Sequence, residues 1–94
     1  MQQDEAESIA ISGLAFVAQD HELMRRFLDL TGVDADTIRQ AAREPGFLAG
    51  VLQFIIAHEP TLLRFSADSG VPPEKAVLAI ESLPFGQATG RYEP

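Results

Sequence analysis

The chain has 94 residues, fourteen acids against seven bases for a formal charge of −7, and no cysteine. That length suits one domain with a single core, the missing cysteine excludes disulfides and thiolate chemistry, and the acidic balance repels phosphate backbones and anionic membrane surfaces. Apolar residues make up 46%, a heavy core demand for so short a chain, which makes self-association as a homodimer an expectation.

The opening residues, Met1 to Glu7, are acidic where a signal peptide is basic. No apolar run reaches the ~20 residues needed to cross a bilayer. The chain therefore reads as soluble and cytoplasmic, with no membrane partner. Asp4 is placed to cap a first helix over about 5–19, with Glu7 three residues on as the second half of a capping box. Ile9, Ala10, Gly13, Leu14, Phe16 and Val17 recur along it at helical spacing. Asp20 is the expected cap of a second helix, whose inward stripe is Leu23, Met24, Phe27, Leu28 and Leu30. That helix stops at Thr31-Gly32, where glycine can turn left-handed. Asp34 is expected to cap a short third helix with Ile38, Ala41 and Ala42 facing in.

The central stretch runs from Pro45 to Ala57, and Gln53 is its one polar side chain. Pro45 suits a first helical position, and Pro60 closes roughly 14 residues, or about 20 Å, of helix. A rod apolar on nearly every side has to be wrapped by others. Helix five follows with Leu62, Leu63 and Phe65 inward and a stop at Ser69-Gly70. Val71-Pro72-Pro73 opens helix six, in which Ala76, Val77, Ile80 and Leu83 are the expected buried positions. The fold class is thus all-α, a compact bundle of five to six helices over residues 4–83, followed by a tail, 84–94, without periodicity.

A shift of 38 residues lays the second half on the first. Leu14 falls on Leu52, Phe16 on Phe54, Val17 on Ile55, Met24 on Leu62, Arg26 on Arg64, Phe27 on Phe65, Thr31 on Ser69, Gly32 on Gly70 and Val33 on Val71. The reading is an internal duplication of a three-helix unit, with repeats over 5–43 and 44–83 and their long apolar helices packed together at the centre.

The stretch from Phe16 to Leu23, the run Arg26-Phe27-Leu28-Asp29-Leu30-Thr31-Gly32, the segment from Glu44 to Phe54 and the later Leu62-Leu63-Arg64-Phe65 together resemble the small bacterial family known as domain of unknown function 3572. The resemblance covers roughly residues 8 to 83, and Glu44-Pro45-Gly46-Phe47-Leu48 is its most specific part. It implies a compact helical protein of the bacterial cytoplasm and carries over no catalytic or binding residue.

Several constellations compete as sites. Residues 21–43 have the lengths of a helix-turn-helix, with Arg25, Arg26, Arg39 and Arg43 as its cations, but Asp34 and Asp36 stand where phosphate contacts belong. His21-Glu22 and His58-Glu59 sit at corresponding helix junctions, one residue out of register, yet no third metal ligand accompanies them. Arg26 and Arg64 occupy equivalent places and form a pseudo-symmetric pair suited to a carboxylate or phosphate; the plainer account is that both serve the helix dipole or bridge to nearby acids. Gly46 and Gly50 are spaced to let another helix approach. No nucleophile and base are placed together, and no cofactor or metal is implied. The expected function is a non-enzymatic protein-interaction or adaptor module that binds through an apolar patch left by the two hydrophobic helices, drawn from Ile9, Phe16, Phe47, Phe54 and Ile56, or through the tail, with Arg25, Arg26, Arg39, Arg43 and Arg64 as candidate interaction residues. The alternatives are a DNA-binding regulator using residues 21–43 and a small-ligand binder between the halves.

Overall fold

A computed structural model describes residues 1–84. Six helices make up the bundle: α1 (Gln3–Ala18), α2 (His21–Thr31), α3 (Ile38–Ala41), α4 (Phe47–Ile56), α5 (Glu59–Ser69) and α6 (Pro73–Glu81), with a 3-10 turn over Ala35–Thr37 before α3. Apart from Pro84, the expected tail lies outside the described residues.

The centre is α4. None of its ten residues is exposed, and Ala49, Val51, Leu52 and Ile55 are fully buried. The rod is shorter than expected, about 15 Å at 1.5 Å per residue. Gly46 explains this: it stands at φ 93° as the N-cap, a left-handed conformation that a continuous helix cannot pass through. Pro45 is therefore in the preceding turn and not at the first helical position.

Packed along α4 and α6 is α1, through Ala6, Ile9, Ala10, Gly13, Phe16 and Val17. The α1–α4 contact is closest at Gly13. A Cβ there would lie 3.0 Å from Ile55 Cδ1 and 3.3 Å from Leu52 Cδ2, whereas one on Gly50 would meet nothing within 4 Å. The close helix approach expected at Gly46 and Gly50 thus belongs to Gly13. Nor is α1 apolar all round, since Ile11 is 56% exposed beside the exposed Ser8 and Ser12.

Caps and stripes differ from expectation where local phase decides. Asp4 lies within the first turn behind the N-cap Gln2, and Glu7 accepts from Gln3 Nε2 at 3.2 Å. Leu63 points away from the face that Thr61 and Phe65 define four residues apart, and is 53% exposed. In α6 the buried face is Ala76, Ala79 and Ile80, which leaves Val77 outside. Leu30 is 73% exposed because residues 29–32 all stand clear of the packed layer. The segment after Asp34 buries nothing fully; Ile38 and Ala41 are half-buried and Ala42 is exposed. One isoleucine and two alanines supply too little buried surface to hold a longer helix.

The 38-residue correspondence extends to geometry. Gly32 and Gly70 end α2 and α5 at φ 76° and 81°. Thr31 Oγ1 donates to the Phe27 carbonyl at 2.8 Å, and Ser69 Oγ to the Phe65 carbonyl at 2.7 Å. Phe16 meets Phe65 edge-on at 5.5 Å between centroids, and Phe54 meets Phe27 at 5.4 Å. Exchanging the halves turns the first ring pair into the second, so the likeness of the two halves extends to these ring contacts and helix stops. It ends at the third element, where four-residue α3 stands against nine-residue α6.

Urea denaturation checks the helix contacts. Gly50→Ala is expected to gain about 0.5–1 kcal/mol, since the site is open and mid-helix. Gly13→Val, which drives methyl groups into Leu52 and Ile55, is expected to lose about 1–3 kcal/mol.

Candidate binding cleft

The residues at the N-termini of α2 and α5 line one common cleft. Asp20 caps α2 from an extended conformation, φ −119° and ψ 111°, its Oδ1 accepting from the N–H groups of Glu22 at 3.0 Å and Leu23 at 3.1 Å. His58 caps α5 in the same conformation, φ −130° and ψ 106°. The structural counterpart of His58 is therefore Asp20 and not His21, which removes the one-residue mismatch seen in sequence.

A cleft of about 230 Å³ lies between these helices. Its lining falls into four pairs, each 38 residues apart: Asp20 with His58, Glu22 with Pro60, Leu23 with Thr61, and Arg26 with Arg64. The cleft thus takes corresponding positions from both halves of the chain. Each guanidinium is steadied from below by the opposite half, Arg26 over the Phe54 ring at 5.9 Å and Arg64 over Phe16 at 5.6 Å. Such stacking contributes about 0.5–1 kcal/mol at an exposed site and, more usefully, fixes where each cation sits.

The two sides differ in charge. Arg64 Nη2 donates to Asp20 Oδ2 at 3.0 Å. With the Arg64 side chain 58% exposed, that pair fixes orientation more than it adds stability. On the other side His58 Nδ1 meets Thr61 Oγ1 at 2.7 Å, and the threonine is buried. The Arg64 hydrogen bond, followed by the Leu23 N–H, holds the Asp20 carboxyl below its ordinary 3.8.

Of the five arginines expected to form an interaction surface, Arg26 and Arg64 share this cleft. Arg25 lines a separate depression beside Asp29, Gly32 and Asp34, and Arg39 and Arg43 are exposed on and just after α3. The second helix of the expected helix-turn-helix over 21–43 is a 3-10 turn and four helical residues, about 6 Å of helix, too short to lie along a major groove. Among the described residues no three metal-ligating side chains cluster, and no helix is long and apolar enough to cross a membrane. Leu23, Thr61 and the pairing of Asp20 with His58 are site features that residue-type motifs miss; the 38-residue shift itself was the signal that could find them.

A wider depression of about 450 Å³ opens on the far side of the Arg64–Asp20 pair, over Phe16, Gln19, Ala67 and Asp68. It gathers one cation against two acids, whereas the cleft between α2 and α5 gathers two cations.

The family model described as protein of unknown function (DUF3572) matches residues 3–86 of the chain. The chain belongs to that family. The match takes in both halves of the chain, 5–43 and 44–83, and every residue of the cleft in this DUF3572 protein. No curated protein and no solved structure matches it.

Because the native carboxyl of Asp20 titrates below 3.8, the unfolded chain takes up that proton first as pH falls. The stability that ionised Asp20 provides is present above about pH 3.8 and is lost as pH falls through the lowered native value. Asp20→Asn keeps a good N-cap without the charge. Its stability deficit against the natural chain, followed by urea denaturation, is expected to shrink steadily on acidification below that point, and to shrink also with added salt.

Proposed function

We propose that this chain is a non-enzymatic protein-binding module of the bacterial cytoplasm, built from a duplicated helical unit, that captures a charged group of its partner in the cleft between α2 and α5. The observation that carries this reading is the convergence of Arg26 and Arg64 on one cavity, each cation held in place by a phenylalanine of the other half. At about 230 Å³ the cavity falls below the range of roughly 300–1,000 Å³ typical of small-molecule sites. It fits one side chain or a chain terminus, which favours a protein partner over a free cofactor. Arginine in such a setting is the residue type that dominates interface energetics.

Reactive chemistry has little support. Ser66 Oγ donates to the Val71 carbonyl at 2.6 Å, Ser69 Oγ to that of Phe65 at 2.7 Å and Ser82 Oγ to that of Met1 at 3.1 Å. These hydroxyls are committed to backbone acceptors, where a nucleophile would be paired with a base. The apolar surface is dispersed over four helices at Ile11, Leu30, Leu63, Val77 and Leu78, whereas Ile9 and Phe16 are buried. Recognition is accordingly assigned to the polar cleft and not to the flanks of the apolar rods.

Capture from the native cell tests this reading, with the natural chain and Arg26→Glu as parallel baits of equal thermal midpoint. A protein retained by the first and at least tenfold depleted from the second is the expected result. Equal retention by both baits would contradict the assignment of the cleft.

A further inference from the structure

We infer that the group received by the cleft is a carboxylate of the partner protein, held between Arg26 and His58. The inference rests on the protein-binding reading above and narrows it to one chemistry and one side of the cleft.

The argument is an asymmetry within a symmetric frame. On one side Arg64 stacks on Phe16 and pairs with Asp20 at 3.0 Å. The counterpart of that arrangement under the 38-residue shift is Arg26 stacked on Phe54, with His58 at the position of Asp20. Backbone conformation at the two caps is the same, and both arginines line the same cleft, so what has changed is the group opposite the cation. An imidazole stands where the frame has a carboxylate. Arg26 has no ion-pair partner among the described residues; Glu22, one turn earlier on α2, lines the cleft without reaching ion-pair distance of it. Asp20 is already engaged by Arg64 and by the first turn of α2.

His58 is oriented for the role. Its Nδ1 is held at 2.7 Å by the hydroxyl of buried Thr61, which leaves Nε2 as the second ring nitrogen. In the tautomer in which Thr61 donates to Nδ1, Nε2 carries the proton and is a donor. An incoming carboxylate then takes the planar fork of Arg26 on one edge and the His58 N–H on the other, completing for Arg26 the pair that Asp20 completes for Arg64. The neighbouring acids Asp20 and Glu22 select against a doubly charged phosphate, which they repel more strongly than a singly charged carboxylate. An aspartate or glutamate side chain, or a carboxyl terminus, presents the group at a size the cleft admits.

Titration followed by NMR, at constant ionic strength, tests this with sodium acetate as the bare carboxylate, sodium chloride as the control and inorganic phosphate as the rival. The signals read are the Arg26 Nε–H and the His58 ring. Acetate is expected to shift both saturably, chloride neither, and phosphate more weakly than acetate. Arg26→Gln should weaken acetate binding at least tenfold. His58→Asp places a carboxylate where the frame calls for one, so it should pair with Arg26, abolish the acetate response at Arg26 and leave the thermal midpoint equal or higher. Shifts that follow chloride, that survive both substitutions, or that favour phosphate would overturn the assignment. Partner capture that depends on Arg26 while acetate fails to bind would sink the carboxylate and spare the module; acetate binding without any Arg26-dependent partner would do the reverse.

Discussion

Phe16 rests edge-on against Phe65, and Phe54 rests edge-on against Phe27. Each pair joins one half of the chain to the other, and each exposes a ring face on which the opposite half lays an arginine. Everything at the cleft depends on these crossed contacts. They join α1 to α5 and α4 to α2. They also hold two guanidinium groups that would otherwise extend into solvent. Phe54, half-buried, and Phe16, buried, carry the cations, and each is backed by a fully buried ring, Phe27 and Phe65, so packing helps to place the arginines.

The rest of the bundle serves to keep α4 covered. With no exposed residue of its own, α4 requires neighbours on every side, and α1, α5 and α6 supply them. Gly13 lets α1 come close enough that Leu52 and Ile55 close against its backbone. In a frame packed to this density, a change of one methyl group at the α1–α4 contact is transmitted to the ring pairs. The surface ion pairs, Arg64–Asp20 and Lys75–Glu5, are both substantially exposed and contribute orientation more than stability.

Much of this was legible in the sequence, for reasons that differ by element. Asp20 as a cap and Gly32 and Gly70 as left-handed stops are local chemistry, which needs no tertiary context. The 38-residue correspondence survives in large apolar residues and turns, so it could be seen by alignment. What was hidden depended on partners. The start of α4 at Phe47 turned on Gly46 adopting φ 93°, which Pro45 seemed to argue against. The exposure of Leu30 and Leu63 depended on where the neighbouring helices end. The cleft was half visible: Arg26 and Arg64 were paired by the repeat as like residues, while Asp20 and His58, which the same shift pairs, are masked in sequence because their side chains share no chemistry.

The account stands on the crossed ring pairs acting as two equivalent junctions between the halves. Double-mutant cycles with Phe16→Leu and Phe65→Leu, and with Phe54→Leu and Phe27→Leu, measure that directly in urea. Favourable coupling of about 0.5–1.5 kcal/mol in both cycles is the predicted result. Coupling in one cycle and none in the other would contradict the correspondence of the halves on which the cleft is built.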